Sequence, residues 1–391
     1  MYEQLKNRFI QTYGKQPSYI FSAPGRTELG GNHTDHQHGM VLAAAVDRET
    51  LAAVAPNGTA TVNLLSEGFP PCQVDLTDLS IHPEEEGKTT ALIRGVASKF
   101  QSYGLKGFDA YVTSNVLSGS GLSSSAAFEV LMGVIFDRLC GAGKTPVEIA
   151  QIGQAAENEY FGKPCGLMDQ TASSVGSIIA IDFADPAHPV VKPIPFDFSA
   201  CGHSLCIIDT GASHADLTDE YAAITQELKA VCAVFGKEHL RDVSEEAFYG
   251  NLAQVRSIAG DRAVLRAIHV FEENKRVAKQ ASALLVGDFG AFLKLVTQSG
   301  ISSWQLLQNV IPAGRTHAQE VAYALAVAQH LLGDRGACRV HGGGFAGTIQ
   351  AFVPTDMVES FRSGMEQAIG AGRCHIMSIR KEGGILVEAC K

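Results

Sequence analysis

The chain has 391 residues, 46% of them apolar and 18% charged, with 40 glycines and a formal net charge of −10. That composition allows a sizeable core and excludes wholesale disorder, and the acidic balance disfavours non-specific binding to nucleic acid or anionic membranes. No apolar run reaches the roughly 18 residues of a membrane span and the first residues lack a signal-peptide stretch, so two domains, a cytoplasmic location and no membrane association are expected.

In chain order, residues 39–56 read as strand material around a polar break, followed by short strands at Thr61–Ser66 and residues 110–115. From Ser123 onward Ala126, Ala127, Val130, Leu131, Val134 and Ile135 recur at helical spacing, ending near Gly141. Thr145-Pro-Val-Glu148 opens the next helix with a capping box and a first-turn proline, and that helix is expected to reach Phe161 and stop at Gly162. Four prolines between 186 and 195 stiffen the chain, and a strand-like run opens at Ser204, so the domain boundary is placed near residue 200. Helical patterns follow at 217–235, 261–285 and 317–332, with strands near 348–353, 374–380 and 385–389. The order is mixed α+β, without the strand–helix alternation of a doubly wound sheet. Nine scattered cysteines with no Cys-x-x-Cys pair argue against a disulfide framework or a zinc ribbon.

Four segments carry chemistry. Residues 23–39 run Ala-Pro-Gly-Arg-Thr-Glu-Leu-Gly-Gly-Asn-His-Thr-Asp-His-Gln-His-Gly, which reads as a polar, glycine-punctuated loop suited to binding sugar hydroxyls. His33, Asp35, His36 and His38 leave a metal site open as a competing reading, and a solvated loop as the bland one. Residues 118–127, Ser-Gly-Ser-Gly-Leu-Ser-Ser-Ser-Ala-Ala, lead into a helix N-terminus, where backbone N–H groups and the helix dipole suit a phosphate. The segment is neither a Walker A loop nor a dinucleotide fingerprint, and a serine-rich cap is its plainer reading. Glu157 and Asp169, in Cys-Gly-Leu-Met-Asp-Gln, are two carboxylates twelve residues apart that would divide labour between metal and substrate, or form an ordinary buried ion pair. Finally, His341-Gly-Gly-Gly-Phe-Ala-Gly347 places three successive glycines between a helix and a strand, which implies close approach to a ligand or another backbone.

Together these segments resemble the GHMP kinases, and among them the galactokinases. Gly25–His36 follow in register the signature Gly-Arg-Val-Asn-Leu-Ile-Gly-Glu-His-Thr-Asp-Tyr. Gly121–Ala126 match the family phosphate loop, Glu157 to Gln170 the pattern ending Cys-Gly-Ile-Met-Asp-Gln, His214 to Tyr221 a His-x-Leu-x-x-x-Glu-Tyr region, and Arg339–Gly347 the third motif. The resemblance implies a two-domain GHMP kinase fold of α+β class. Residues 1–200 would form an N-terminal domain like the second domain of ribosomal protein S5, and 201–391 a ferredoxin-like C-terminal domain, with the final strands packing back on either. It also implies ATP-dependent phosphorylation of the anomeric 1-hydroxyl of galactose, with ATP and Mg²⁺ bound and a monomer favoured.

The same resemblance assigns roles. Arg26 stabilises the transferring phosphoryl group, and Asp169 accepts or orients the sugar proton. Gly119, Ser120, Gly121, Leu122, Ser123, Ser124 and Ser125 cradle ATP phosphates, with Ser66 a fainter nucleotide contact. Ser125 and Glu157 ligate Mg²⁺, while Asn32, His33, Thr34, Asp35 and Tyr221 contact the sugar. The chain departs from the family at Asn32, which stands where galactokinases carry Glu. Thr27-Glu28 replaces Val-Asn, Gly30 replaces Ile, Leu117 a proline and Ala346 a glycine. The phosphoryl-transfer set is intact, so kinase chemistry is the firmer expectation and galactose the softer. Beside it stand a kinase for an amino-sugar, uronic acid or other hexose, a catalytically silent sugar sensor and a metal hydrolase. The intact set and the lack of a basic DNA-binding region argue against the sensor.

Overall fold

The computed structural model describes residues 2–116, 121–213 and 217–390. Its strands are β1 (Tyr19–Gly30), β2 (Met40–Pro56), β3 (Thr61–Ser66), β4 (Cys72–Asp75), β5 (Phe108–Ser114), β6 (Ile178–Asp182), β7 (Val190–Ile194), β8 (His203–Asp209), β9 (Ala337–His341), β10 (Thr348–Pro354), β11 (Cys374–Met377) and β12 (Ile385–Ala389). They form two sheets. The first is ordered β12-β1-β2-β5-β3-β4, with β6 joining β2 and β7 joining β6; the second is ordered β11-β8-β10-β9. The chain crosses from one to the other between Ile194 and His203.

One expectation needs correction here. Residues 23–39 are not one loop, because β1 runs through Ala23–Gly30 paired antiparallel with β2, from Tyr19 opposite Val54 to Gly30 opposite Leu42. Its polar side chains looked loop-like, yet strand pairing satisfies their backbone and both faces of the strand are covered. Of the final strands, expected to pack back on either lobe, the last packs on the first. β12 pairs with β1, Tyr19 opposite Ala389, and Ile379 bridges Val46, so the last strand completes the first sheet.

Helices on one face of the first sheet carry Ser124, Glu157 and Asp169. Helix Ser124–Cys140 buries Val130, Leu131, Ile135 and Phe136 against Phe21, Phe100 and Phe108, and ends at Gly141 in the left-handed region. Burying such side chains contributes about 1.5–3 kcal/mol each. Helix Pro146–Ala155 starts with the full capping box, Thr145 Oγ1 accepting from the Glu148 amide and Glu148 from the Thr145 amide. It continues as a π-helical turn, Ala156–Phe161, before Gly162 stops it. Such widened turns often mark functional positions, and this one carries Glu157. Helix Met168–Val175 follows and presents Asp169 in its first turn.

The second sheet is covered on one face by helices Glu320–Leu332 and Val358–Ile369. Helices Asp261–Leu285 and Phe289–Ser302 wedge between the lobes, where Val277, Ala281, Phe292 and Val296 meet Leu29 and Leu42. Among the described residues no helix is long and apolar enough to cross a membrane.

Candidate active site

Asp169 receives a bidentate clamp from Arg26, whose Nε and Nη2 donate to the two carboxylate oxygens at 2.7 and 2.8 Å. Arg26 Nη1 donates to the Gly121 carbonyl, and Ser123 Oγ donates to Asp169 Oδ2. Burial works to raise the Asp169 pKa, but the guanidinium and these hydrogen bonds outweigh it and hold the carboxyl below its ordinary value. Arg26 is shifted the other way: burial opposes its charge, and Asp169 overcomes that. Strand β1 thus delivers a fixed cation to a fixed carboxylate beside the start of helix Ser124–Cys140.

One turn away, Ser125 Oγ donates to Glu157 Oε1 at 3.2 Å, and Lys163 Nζ donates to the same oxygen at 3.0 Å. Gln170 Nε2 bridges Glu157 Oε2 and Glu129 Oε2, at 3.0 and 2.9 Å. Burial, then the neighbouring Glu157, push the Glu129 carboxyl well above the usual carboxylate range. Ser124 and Ser125 also border a cleft of about 400 Å³ whose wall includes Ser66, Phe69, Thr89, Leu92, Phe128 and Phe161. Ser66, Leu122, Ser123, Ser124 and Ser125 are therefore gathered near one helix start, whereas Gly119 and Ser120 lie outside the described residues.

On the other side of Asp169 a smaller cleft, about 190 Å³, is lined by Arg26, Glu28, Asn32, His33, Asp35, His36, Cys165, Gly166 and the Gly342–Gly343 backbone. Gly166 is required by contact, since a Cβ there would stand 2.3 Å from Asp35 Oδ2. Asn32 is wholly buried, and its amide is engaged by protein on both sides. Its Nδ2 donates to the Gly342 carbonyl at 2.6 Å and to Glu28 Oε1 at 3.3 Å; its Oδ1 accepts from Asn309 Nδ2 at 2.8 Å and Ser303 Oγ at 3.4 Å. His33 Nε2 donates to the Gly343 carbonyl at 2.9 Å, and burial lowers its pKa to about 4.

Two of the expected sugar residues stand behind this wall. Thr34 donates its hydroxyl to the Gly31 and Met40 carbonyls, and Tyr221 donates to the Gly344 carbonyl at 2.7 Å, so both brace loops that line the cleft. The histidine-rich stretch does not gather into a chelating site. His38 stacks on His239 at 3.6 Å between ring centroids, and among the described residues no three His, Cys, Asp or Glu side chains form a metal-binding group.

Comparison with known proteins agrees with this geometry. Residues 7–56 match the galactokinase galactose-binding signature and residues 91–177 the GHMP kinase N-terminal domain. A galactokinase of Actinobacillus succinogenes is 32% identical over 365 residues, 92% of this chain and 91% of that protein. The chain belongs to the galactokinase family of the GHMP kinases. Lactococcus lactis galactokinase, solved with galactose, superposes with a TM-score of 0.83 at 26% identity, covering 98% of this chain and 99% of that one. Methanococcus jannaschii mevalonate kinase shares the fold, with a TM-score of 0.65 at 15% identity over 93% of this chain and 98% of its own. The two-lobed architecture is the GHMP kinase fold, and the activity class is that of a GHMP-family kinase for a sugar or other small molecule.

Several site residues escaped the motif comparison. Lys163 touches Glu157, and a lysine directly after the helix-stopping Gly162 was the available signal. Glu129 lies one helical turn beyond Ser125 and reaches Gln170 only in three dimensions. Asn309, which holds Asn32 across 277 positions, left no local signature at all.

Proposed function

We propose that the protein transfers the γ-phosphoryl group of ATP to the anomeric 1-hydroxyl of D-galactose, yielding galactose 1-phosphate and ADP. The observation that carries this reading is the Arg26–Asp169 clamp, set between the polar cleft and the serine-rich helix start. In this reading the sugar lies against Asn32, His33 and Asp35, with Thr34 and Tyr221 bracing the wall. The nucleotide occupies the larger cleft beside Ser66, with its phosphates at Gly119–Ser125. The sugar oxygen attacks the γ-phosphorus, the bond to the bridging β–γ oxygen breaks, and the hydroxyl proton passes to Asp169. A carboxylate held below its usual pKa is a weak base toward a ground-state hydroxyl. Asp169 therefore mainly orients that hydroxyl, and takes the proton as the O–P bond forms and the hydroxyl acidifies. Arg26 keeps Asp169 ionised and places positive charge beside the transferring group.

The donor set at Ser125 and Glu157 fits Mg²⁺: a hydroxyl and a carboxylate, both hard oxygens, 3.2 Å apart beside the phosphate site. Ser125 and Glu157 would hold the cation, which would supply positive charge against the phosphates there. Lys163 would share Glu157 with it and add charge of the same sign. A kinase for a related sugar is the second reading, favoured by Asn32 and Glu28, which stand where the family signature carries Glu and Asn.

Mg²⁺-dependent ADP release, measured with galactose, 2-deoxygalactose, N-acetylgalactosamine, galacturonate, glucose and no sugar, tests the proposal. Release is expected with galactose above the no-sugar control. Release only with another sugar supports the second reading, and silence across the panel overturns both.

A further inference from the structure

Among the polar side chains of the smaller cleft, few keep free bonding capacity. Asn32 is engaged at both its nitrogen and its oxygen, and His33 is tied to Gly343. Glu28 is different. Its Oε1 receives Arg339 Nη2 and the Asn32 amide, while its Oε2 has no hydrogen-bond partner among the described residues and the side chain borders the cleft. Arg339 is itself fully buried and also donates to the Val340 carbonyl, so Glu28 is held from behind by a cation with no room to swing away. Besides Asp169, which Arg26 clamps, the cleft is lined by Asp35, whose Oδ1 accepts from the His36 amide and whose Oδ2, beside Gly166, also has no hydrogen-bond partner among the described residues.

Relative to the family signature, the carboxylate and the carboxamide have changed places, and here they hydrogen-bond to each other. An amide whose donors and acceptor are all taken offers a ligand little. A carboxylate with one free oxygen at the cleft wall offers a strong acceptor.

We propose that Glu28, through Oε2, is the residue that reads a hydroxyl of the sugar away from the reacting carbon, and that Asn32 is a strut between the lobes. This rests on the sugar-kinase reading above and narrows its substrate class. Glu28 and Asp35 present only acceptors, and the lining cation Arg26 is committed to Asp169, so the cleft selects neutral sugars with free hydroxyl donors and rejects uronic acids.

The test compares kcat/KM for galactose and its 2-, 4- and 6-deoxy forms in wild type, Glu28→Gln and Asn32→Ala. Wild type is expected to lose ~10–100-fold on the deoxy sugar that lacks the hydroxyl held by Glu28, the range of a charge-assisted hydrogen bond. Glu28→Gln should shrink that one penalty by at least about fivefold and leave the others. Asn32→Ala should lower all four rates by a common factor and keep their ratios. Glu28→Gln with wild-type ratios, or a changed ratio in Asn32→Ala alone, overturns the inference. If Glu28→Gln does not fold, wild type carries the test: galacturonate used as well as galactose overturns it, and rejection by more than about tenfold supports it. A wild type active on galactose but failing these comparisons overturns the inference alone. A wild type active on none of the sugars overturns the proposed function with it.

Discussion

The two ends of the cleft are built differently. At the phosphoryl end all the groups lie in the first lobe, in two bonded sets: Arg26, Asp169 and Ser123, and Ser125, Glu157 and Lys163. At the sugar end the wall is anchored across the lobes: Glu28 by Arg339, Asn32 by Asn309 and Gly342, His33 by Gly343, and the Gly31 amide by Glu273 at 3.1 Å. The lesson is a division of labour. In the proposed reading the groups for phosphoryl transfer are held together within the first lobe, whereas those for the sugar are held by contacts from the second. Damage to the phosphoryl-end side chains should therefore appear in kcat, and damage to the contacts between the lobes in sugar KM and stability.

The sharpest way to break this comparison is Asp169→Asn. It keeps the shape and removes the ionised acceptor, so kcat should fall on the order of 10³-fold, within the range of a lost general base. Circular dichroism should show the fold retained, and a rate near wild type would mean the central carboxylate is misassigned.

Acid should loosen the sugar end next. His269 and His341 are buried between the lobes, and burial holds both below their ordinary value of 6.5, His341 far below it. The native state thus binds fewer protons than the unfolded chain. The stability these histidines contribute is fully present above about pH 6.5 and is lost as pH falls toward their folded values. Urea unfolding at pH 7 and pH 5 should show lower stability at pH 5. Unchanged stability would mean that neither histidine loses proton affinity on folding.

Asn309→Ala removes the donor to Asn32 Oδ1 and to the Gly343 carbonyl, at 2.8 and 3.1 Å. It should destabilise the protein by about 1–3 kcal/mol, the cost of leaving buried acceptors unpaired. Sugar KM should rise while ATP binding stays the same. An equal loss of nucleotide affinity would contradict the division between the two ends.

The smallest effect is Thr145→Ala, which deletes the capping box beneath Glu157. A loss of about 1 kcal/mol is expected by thermal unfolding, with kcat preserved because Glu157 lies beyond the cap in the π-helical turn.

The local signals in the chain were legible because local physics writes them. Helix Asp261–Leu285, the Thr145 capping box and strands Thr61–Ser66 and Ile385–Ala389 have the boundaries that periodicity and end signals assign. Strand β1 was not legible, because Arg26, Thr27 and Glu28 look like loop residues until Asp169, His341 and Arg339 arrive from far along the chain. The motif comparison singled out Arg26, Ser125, Glu157 and Asp169, and the fold brings Arg26 to Asp169 and Ser125 to Glu157. It placed Asn32 at the sugar but could not show that Asn309, Ser303 and Gly342 take up its amide, since such long-range partnerships have no sequence period.

The most direct test of the central claim is the phosphorus–proton coupling spectrum of the product formed from galactose and ATP. The phosphate should couple to the anomeric proton, identifying galactose 1-phosphate. Coupling to any other sugar proton, or no phosphorylated sugar from a protein that binds ATP and galactose, would contradict the account.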